Sequence, residues 1–338
     1  MKKSFTTYQL HFTTPVHFGD EREDYGHSHM NLKSDALYAA ILASLAKVGV
    51  KVPDDGDIGV TISSLFPFMC LEENMHPVYF LPKPKSRDLP DDEATNQAKQ
   101  AKKIDWLDAQ CFSEFIHGKS LFALLKNNHI IHDAFLSSRF HPTAKLLNRQ
   151  VYARVAVPRV QEIEGEKQLP TPFYTERIFF EKNAGLYFIA DGEEKSLQTL
   201  EMALNVLKDE GLGTDRNVGN GFFEWKKDVL QLDLPISEHI MALGVFLPES
   251  KEQLKALLLS DKSAYRFHRR GGWITDSSFQ TFRKNSIYMF SEGSVFSSDS
   301  VENVITMGRI VNLKPDSVNV DHGIFRNGKT LFLPIKLN

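Results

Sequence analysis

The most informative segment of the chain is a glycine-rich loop, Gly211-Leu212-Gly213-Thr214-Asp215-Arg216-Asn217-Val218-Gly219-Asn220-Gly221. It follows a run of leucines at helical spacing (Leu197, Leu200, Leu204 and Leu207) and precedes the strand-like Phe222-Phe223-Glu224-Trp225. A nucleotide-binding loop has the opposite order, because it follows a strand and opens a helix whose amides hold the phosphate. The loop contains no lysine, so the Lys-Ser/Thr pair of a P-loop is absent. The order therefore argues against a mononucleotide or dinucleotide site.

The loop composition instead favours a close approach to a sugar-phosphate chain. Four glycines in eleven residues let the backbone come near a ligand and expose its amide groups. We expect Gly213 and Gly219 to provide that approach, with Arg216, Asn217 and Asn220 as side-chain donors. The simpler alternative is a helix cap followed by a flexible turn, since glycine is common at helix ends.

The flanking segments predict alternating α and β structure. Residues 178–180 and 186–189 are strand-like runs joined by a turn that contains Gly185, which predicts a hairpin before the leucine helix. Near the start, Tyr8, Leu10 and Phe12 alternate with polar residues, as in a strand with one buried face. A helix follows, with Ser34 as its expected cap and an apolar face formed by Leu37, Ile41, Leu45 and Val48. Residues 81–103 are rich in proline and charge, and we expect a mobile insertion there.

Composition limits the classes of function. A length of 338 residues predicts about two domains at roughly 150 residues each. With a net charge of -3, the chain cannot coat nucleic acid as a nonspecific polycation, so any polyanion must meet a local basic surface. Cys70 and Cys111 form neither a metal motif nor a disulfide framework, and the start does not resemble a signal peptide. We therefore expect a cytoplasmic protein, with no membrane association.

Two segments offer the required basic surface. Arg149, Arg154 and Arg159 lie on a predicted strand with no acid among them. Between Lys262 and Lys284, the basic residues are interleaved with aromatic ones in Tyr265-Arg266-Phe267-His268-Arg269-Arg270-Gly271-Gly272-Trp273. Aromatic faces stack on unpaired bases while guanidinium groups hold phosphates, which is typical of single-stranded RNA binding. A solvated strand with buried aromatics would produce a similar string.

Catalytic and metal sites are weakly supported. His17, His27 and His29 share one loop, but no carboxylate or cysteine adds ligand spacing, so a solvated loop is the simpler interpretation. One of these histidines could activate a ribose 2′-OH for RNA cleavage, although the sequence does not show the geometry. We predict no catalytic residue, no metal and no cofactor.

Several separated motifs resemble one family. His17-Phe18-Gly19 followed by Lys33-Ser34-Asp35-Ala36-Leu37-Tyr38 resembles the N-terminal signature of the RAMP (repeat-associated mysterious protein) subunits of type III CRISPR complexes. Leu81-Pro82-Lys83-Pro84, the glycine loop, Arg269-Arg270-Gly271-Gly272-Trp273, Arg283-Lys284 and Phe290-Ser291-Glu292-Gly293-Ser294-Val295-Phe296 are similar, in the same order, to the branch that forms the fourth subunit of the type III-A Csm complex. The chain departs from the family pattern at Asp321-His322-Gly323.

The resemblance implies an α+β fold of two ferredoxin-like (RRM-like) RAMP domains, residues 1–170 with the insertion and residues 171–338 with the glycine loop. It also implies a noncatalytic subunit that binds the 5′ handle of the CRISPR RNA and contacts the large Cas-ten-type signalling subunit and a Csm backbone subunit. The alternatives are a CRISPR RNA-processing endoribonuclease of the same superfamily and an enzyme of small-molecule metabolism. The RNA-binding residues expected are His17, Gly19, Lys33, Ser34, Arg149, Arg154, Arg159, Gly213, Arg216, Asn217, Gly219, Asn220, Arg269, Arg270, Trp273, Arg283 and Lys284.

Overall fold

The computed structural model describes residues 2–19, 25–71, 76–85, 95–157, 162–163, 166–167, 169–274 and 282–337. The helices in these ranges are α1 (Ser34–Lys47), α2 (Thr95–Lys103), α3 (Ala109–Ile116), α4 (Leu121–Asn127), α5 (Glu194–Glu210) and α6 (Lys251–Leu257), with a 3₁₀ turn over Arg216–Val218. The strands are β1 (Lys2–Phe12), β2 (Val60–Ile62), β3 (Phe66–Cys70), β4 (Pro77–Pro82), β5 (Trp106–Asp108), β6 (His129–Ile131), β7 (Phe135–Ser137), β8 (Leu147–Ala156), β9 (Glu162–Ile163), β10 (Glu166–Lys167), β11 (Thr171–Phe180), β12 (Ala184–Gly192), β13 (Phe223–Asp233), β14 (Ser237–Ala242), β15 (Phe267–Arg270), β16 (Ile287–Phe290), β17 (Val295–Val301), β18 (Ile305–Met307), β19 (Ile310–Asn312), β20 (Phe325–Asn327) and β21 (Thr330–Pro334).

Four antiparallel strands in the order β13-β1-β12-β3 form one end of the largest sheet, with β13 at its edge. The leucines of α5 and the apolar face of α1 pack on one side of it, against Tyr8 and Leu10 of β1. Along the chain, these elements follow the order β1-α1-β3-β12-α5-β13, which is the β-α-β-β-α-β sequence of a split βαβ unit. The predicted α+β class is confirmed. The domain boundary predicted at residue 170 stays a prediction, and the hydrogen bonds from β1 to β12 and β13 cross it.

Strand β1 is buried on both faces, although its alternating sequence predicts only one buried face. Its polar side chains are covered because they form a hydrogen-bonded network. Gln9 Nε2 donates to Tyr79 Oη at 2.6 Å and to Asp228 Oδ2 at 2.8 Å. Satisfied polar groups can be buried without a large desolvation cost. The alternating pattern therefore predicts strand β1 correctly, but it does not predict that the polar face of β1 is buried as well.

The segment between β3 and β12 adds strands and helices to the sheet. Strands β4, β5, β7 and β6 extend it beyond β3. Residues 86–94 of the predicted mobile insertion lie outside the described residues. Residues 95–103 form α2, and Ala101 on it is fully buried while its carbonyl accepts a hydrogen bond from Lys83 Nζ at 2.8 Å. The mobility predicted for residues 81–103 stays a prediction, while residues 95–103 form a helix whose Ala101 contacts Lys83, just after β4.

The hairpin predicted across residues 178–189 is wrong. Strand β11 pairs with β8 in a two-stranded sheet, and β12 pairs with β1, β2 and β3. The turn after Phe180 therefore moves the chain from an exposed ribbon into the central sheet. Because β12 is fully apolar over most of its length, it is more stable between two strands than at an edge.

Helix α1 begins at Ser34, but the prediction that the Ser34 hydroxyl caps it is wrong. Lys33 occupies the cap position, without a side-chain cap bond. Ser34 Oγ instead accepts a hydrogen bond from Val245 N at 2.9 Å, beside the C-terminal sheet β17-β14-β21-β18. At the other end, Val48 lies past the helix and is half exposed. Ser34 is thus a tertiary contact between the two ends of the chain.

Candidate nucleic-acid interface

The base of the glycine loop is fixed by backbone contacts. Gly211 and Gly221 both have φ of +81°, and Leu212 N donates to Gly221 O at 2.9 Å. A Cβ at Gly221 would lie 2.1 Å from Leu212 O, so no larger residue fits there. Thr214 N donates to His17 O at 2.9 Å, and a Cβ at Gly213 would lie 2.6 Å from that same oxygen. The loop is therefore a pinned structure and not a flexible turn.

The tip of the loop is the part that faces solvent. Asp215 is left-handed at φ +61°, and the 3₁₀ turn that follows exposes Arg216 and Asn217. Gly219, at φ +86°, has open space around its missing Cβ. Asn220 is only 1% exposed, and its Nδ2 has no hydrogen-bond partner among the described residues, so its role as a donor to a ligand stays a prediction.

His17 is buried beneath this loop. Its ring is 1% exposed, and Nδ1 donates to Glu176 O at 2.7 Å. Because the carbonyl can only accept, Nδ1 carries the proton. Gly19 is half-buried next to it, at the end of a described range. His17 therefore positions the glycine loop through its backbone and is not presented to a ligand.

The ribbon of β8 and β11 connects to the loop through arginine. Arg154 Nη1 donates to Asp215 Oδ2 at 2.7 Å, so the ribbon and the loop tip are joined by an ion pair. Arg149 Nη1 donates to Glu176 Oε2 at 2.9 Å and to Ser28 O at 2.8 Å. Arg159, the third predicted arginine, lies outside the described residues. Both described arginines lie on β8 and are partly exposed.

One face of the same ribbon is apolar and open to solvent. In the β8–β11 register, Val151, Val155 and Tyr174 project to one side, and they are 60%, 56% and 64% exposed. Adjacent exposed apolar side chains of this size typically mark a protein interaction surface.

A large basic cleft begins where the ribbon meets the body. Its volume is about 1770 Å³. Acidic residues are few along it, namely Asp105, Glu181, Asp261 and Glu292. The basic lining comes from six separate segments: Lys83, Lys85, Lys102, Lys119, Lys145, Arg149, Lys262, Arg266 and Lys336. Of these, Arg149, Lys262 and Arg266 belong to the basic segments predicted from the sequence and Lys83 to a family motif, while the other five are brought to the cleft by the fold.

Two lysines of this cleft, Lys83 and Lys85, are largely buried and lie near other cations. Burial lowers the pKa of Lys83 and Lys85, and the neighbouring Arg266 lowers both further. Lys33 Nζ donates to Glu292 Oε1 at 3.1 Å. Burial acts to raise the pKa of Glu292, but the Lys33 ammonium and other nearby groups outweigh it, so that pKa lies below its usual range. Lys33 is thus paired with Glu292, while Lys83 and Lys85 lie near other cations, a repulsion that a bound anion would reduce.

A second cationic cluster surrounds Asp35 at the start of α1. Asp35 is fully buried and accepts from Arg270 Nε at 2.8 Å, Arg270 Nη2 at 2.9 Å and Arg326 Nη1 at 3.1 Å. Burial acts to raise the pKa of Asp35, and the two guanidinium groups hold it below its ordinary value. Burial, followed by the nearby Arg326, lowers the pKa of Lys284 to about 8. Arg270 Nε and Nη2 therefore donate to Asp35, and the predicted role of Arg270 in RNA binding stays a prediction.

The remaining predicted residues lie on the outer side of this cluster. Arg269 is exposed, and its Nε donates to Ser286 Oγ at 3.0 Å. The Arg283 guanidinium carbon lies 4.7 Å from the centre of the Trp273 ring. These groups form a solvent-facing basic and aromatic surface that continues from the cleft.

In the described part of the chain, no group of three or more His, Cys, Asp or Glu residues is arranged to hold a metal ion. No helix there has the length and apolar character needed to span a membrane.

Comparison with known proteins gives consistent similarities. Residues 236–335 match the family model for the CRISPR Csm4 C-terminal domain. A Methanocaldococcus jannaschii protein described as CRISPR system Cms protein Csm4 is 26% identical over 57% of this chain and 56% of its own length. A Mycobacterium tuberculosis protein of the same description is 26% identical over 95% of this chain and 94% of its own.

Solved structures show the same fold. A chain in the Csm3-Csm4 subcomplex of the type III-A CRISPR-Cas interference complex superposes with a TM-score of 0.62 at 20% identity, covering 99% of this chain and 100% of that one. A chain in the Csm1-Csm4 cassette bound to pppApA gives a TM-score of 0.57 at 17% identity, with 99% of both chains covered.

Proposed function

Because this chain belongs to the Csm4 family of type III-A CRISPR subunits, we propose that it holds the 5′ handle of the CRISPR RNA within a Csm effector complex. The subunit role in a Csm complex follows from the family. Binding of the handle is the proposal. The observation that carries it is the basic cleft, where nine Lys and Arg residues face four acids. A single RNA strand presents a row of phosphates, and cations along a groove are the usual means of binding them.

The proposed RNA path uses the surfaces that adjoin the cleft. Arg149 lines the cleft and also anchors the β8–β11 ribbon, whose Arg154 reaches the glycine loop. The strand would therefore run from the cleft along the ribbon to Arg216 and Asn217. Phosphate contacts of this kind position an RNA without reading its sequence.

We further propose two protein partners, the large Csm1-type signalling subunit and the Csm3-type backbone subunit. Relatives with this fold were solved in Csm1-Csm4 and Csm3-Csm4 assemblies. The apolar face of the β8–β11 ribbon supports a protein contact, because Val151, Val155 and Tyr174 are exposed side by side. Within a cytoplasmic complex, this face would be buried by a partner.

We also propose that the subunit does not cleave RNA. The histidine considered for that chemistry, His17, is buried and donates to a backbone carbonyl. A discrete cut in repeat RNA incubated with the protein in EDTA, if it disappeared in His17→Ala, would establish the endoribonuclease alternative instead.

The handle proposal is tested by binding of a fluorescent repeat-derived 5′ handle RNA at several salt concentrations. Lys145→Gln and Arg266→Gln each remove an exposed cation that lines the cleft. Each should weaken binding and reduce the slope of log K against log salt by about one. Lys195→Gln removes an exposed lysine on α5, which does not line the cleft, and should leave the slope unchanged. Equal slopes in all four proteins would refute the cleft as the RNA site.

A further inference from the structure

We propose that the ribbon of β15 and β16 is a stacking site for unpaired RNA bases, with Phe267, Tyr288 and Arg269 as its contact residues. This inference rests on the proposed function, because it takes RNA as the ligand of the adjoining cleft. It goes further in assigning base contacts to a surface that the phosphate path does not require.

The strand register places the three residues on one face. Phe267 pairs with Phe290, and Arg269 pairs with Tyr288. Directly opposed residues in an antiparallel pair project to the same side, and residues two apart on a strand do so as well. Phe267, Arg269, Tyr288 and Phe290 therefore share one face. The opposite face carries Met289, which is 1% exposed, and Arg270, which is bound to Asp35.

The outward face exposes aromatic surface in an arrangement that suits stacking. Phe267 is 57% exposed and Tyr288 is 62% exposed. Their rings lie 5.8 Å apart at an interplanar angle of 85°. Phe267 also makes an edge-to-face contact with Phe290, with the ring centroids 6.4 Å apart, yet Phe267 and Tyr288 both stay more than half exposed, which leaves room for a flat partner. Two neighbouring exposed aromatics are costly in water, so their position indicates a ligand.

The ribbon is fixed to the C-terminal core from both of its faces. Phe290, at the end of β16 and on the same face as Phe267, contacts Phe246 and Phe296 of that core. Met289 packs with Val245 and Leu247. On the same side, Arg270 donates twice to Asp35 at the start of α1. A preorganised surface loses little conformational freedom when a ligand binds, which favours binding.

Charge favours RNA over a protein as the occupant. Residues 262–274 and 282–290 contain no acidic residue, while Arg266, Arg269 and Arg283 are exposed on them. The Nε of Arg269 is held by Ser286, which leaves its terminal amino groups directed away from that bond. Tyr265 and Arg266 line the cleft and immediately precede Phe267. A strand leaving the cleft would therefore meet cations and ring faces together, as expected for single-stranded RNA.

The test measures binding of single-stranded handle RNA in which successive bases are replaced by 2-aminopurine, whose fluorescence falls on stacking. Phe267→Leu and Tyr288→Leu keep an apolar side chain but remove the ring. Each should weaken binding at least about five-fold and restore fluorescence at one position of the RNA. Phe267→Tyr and Tyr288→Phe retain a ring and should bind as the original protein does. Leu259→Ala changes an 80% exposed residue after α6 and serves as the control.

The outcomes separate this inference from the handle proposal. If the unmodified protein binds RNA with the expected salt slope but both leucine variants bind and quench equally well, the stacking site is refuted and the cleft proposal stands. If the leucine variants bind RNA normally but fail to bind a Csm1-type or Csm3-type subunit, the surface is a protein interface and the inference is wrong. If the unmodified protein does not bind RNA, both proposals fail.

Discussion

Replacement of Asp35 by Asn should be one of the most damaging conservative substitutions in this chain. Asp35 is fully buried, and the Arg270 and Arg326 side chains bound to it are only 12% and 11% exposed. The change keeps the shape of the side chain but leaves two nearly buried guanidinium groups without their counter-charge. Removing one partner of a buried ion pair typically costs about 3–5 kcal/mol. At roughly 2 °C per kcal/mol in a chain of this size, we expect the melting temperature to fall by about 6–10 °C.

The measurement is urea unfolding of the purified protein followed by tryptophan fluorescence, together with thermal unfolding. Glu210→Gln is a matched control, since it removes the partner of Lys47 in a pair that is 55% and 30% exposed. An exposed pair of this kind contributes about 0–1 kcal/mol. Addition of Arg270→Met to Asp35→Asn should restore part of the loss, because it removes one uncompensated cation.

The pH dependence of the stability gives an independent check of the ion pairs around Asp35. The pKa of Asp35 lies below its ordinary value of 3.8, so the ionised form is favoured in the folded protein. Ionised Asp35 therefore stabilises the folded protein at any pH above its pKa in the unfolded chain, and this stabilisation is lost as the pH falls through its pKa in the folded protein. The stability difference between the original protein and Asp35→Asn should therefore persist at neutral pH and shrink in acid. A loss no larger than that of Glu210→Gln at neutral pH would refute the reasoning.

Three further outcomes follow from particular contacts. Gly221→Ala should destabilise the protein strongly, because its Cβ would meet Leu212 O at 2.1 Å, whereas Gly219→Ala, with nothing nearby at φ +86°, should cost only about 1–2 kcal/mol; equal urea midpoints for the two would contradict the pinned loop. Arg154→Ala should change stability by no more than about 1 kcal/mol, since its pair with Asp215 is partly exposed, yet it and Arg269→Ala should each lower the salt slope of RNA binding by about one; an unchanged slope would remove that residue from the RNA path. The pKa of Lys284 is lowered from 10.5 to about 8, so its charged form destabilises the folded protein below pH 8, and this destabilisation decreases as the pH rises towards 10.5. Between pH 7 and pH 10, the original protein should therefore gain stability relative to Lys284→Met in unfolding experiments. A constant difference in stability would exclude the shift.

The local features of the chain are well predicted by its sequence. Alternation identifies β1, leucine spacing identifies α5, and Gly211 ends that helix as expected. The order of separated motifs resembles that of the fourth Csm subunit, and the comparisons find similarity to Csm4 proteins. These features depend on residues within a few positions of one another, so their physical causes are present in the printed sequence.

The partners of charged residues are different, because they depend on the path of the whole chain. Lys33 and Arg270 look like free cations in sequence, but Glu292 and Asp35 bind them from more than 200 residues away. Asn220 and His17 look like polar surface groups in the sequence, but both are buried where the glycine loop contacts the residues that follow β1. No local pattern distinguishes a paired cation from an exposed one.

The sequence by itself determined the α+β class and the glycine loop that ends α5, and the order of its motifs indicated the resemblance to the fourth Csm subunit. Only the tertiary structure decided where the positive charge of a chain with net charge -3 accumulates. Six distant segments meet to form the basic cleft, and buried carboxylates neutralise cations that the motifs suggested were free. The physical reason is that secondary structure follows from short-range backbone and side-chain preferences, whereas burial and electrostatic pairing are set by contacts between residues far apart in the chain.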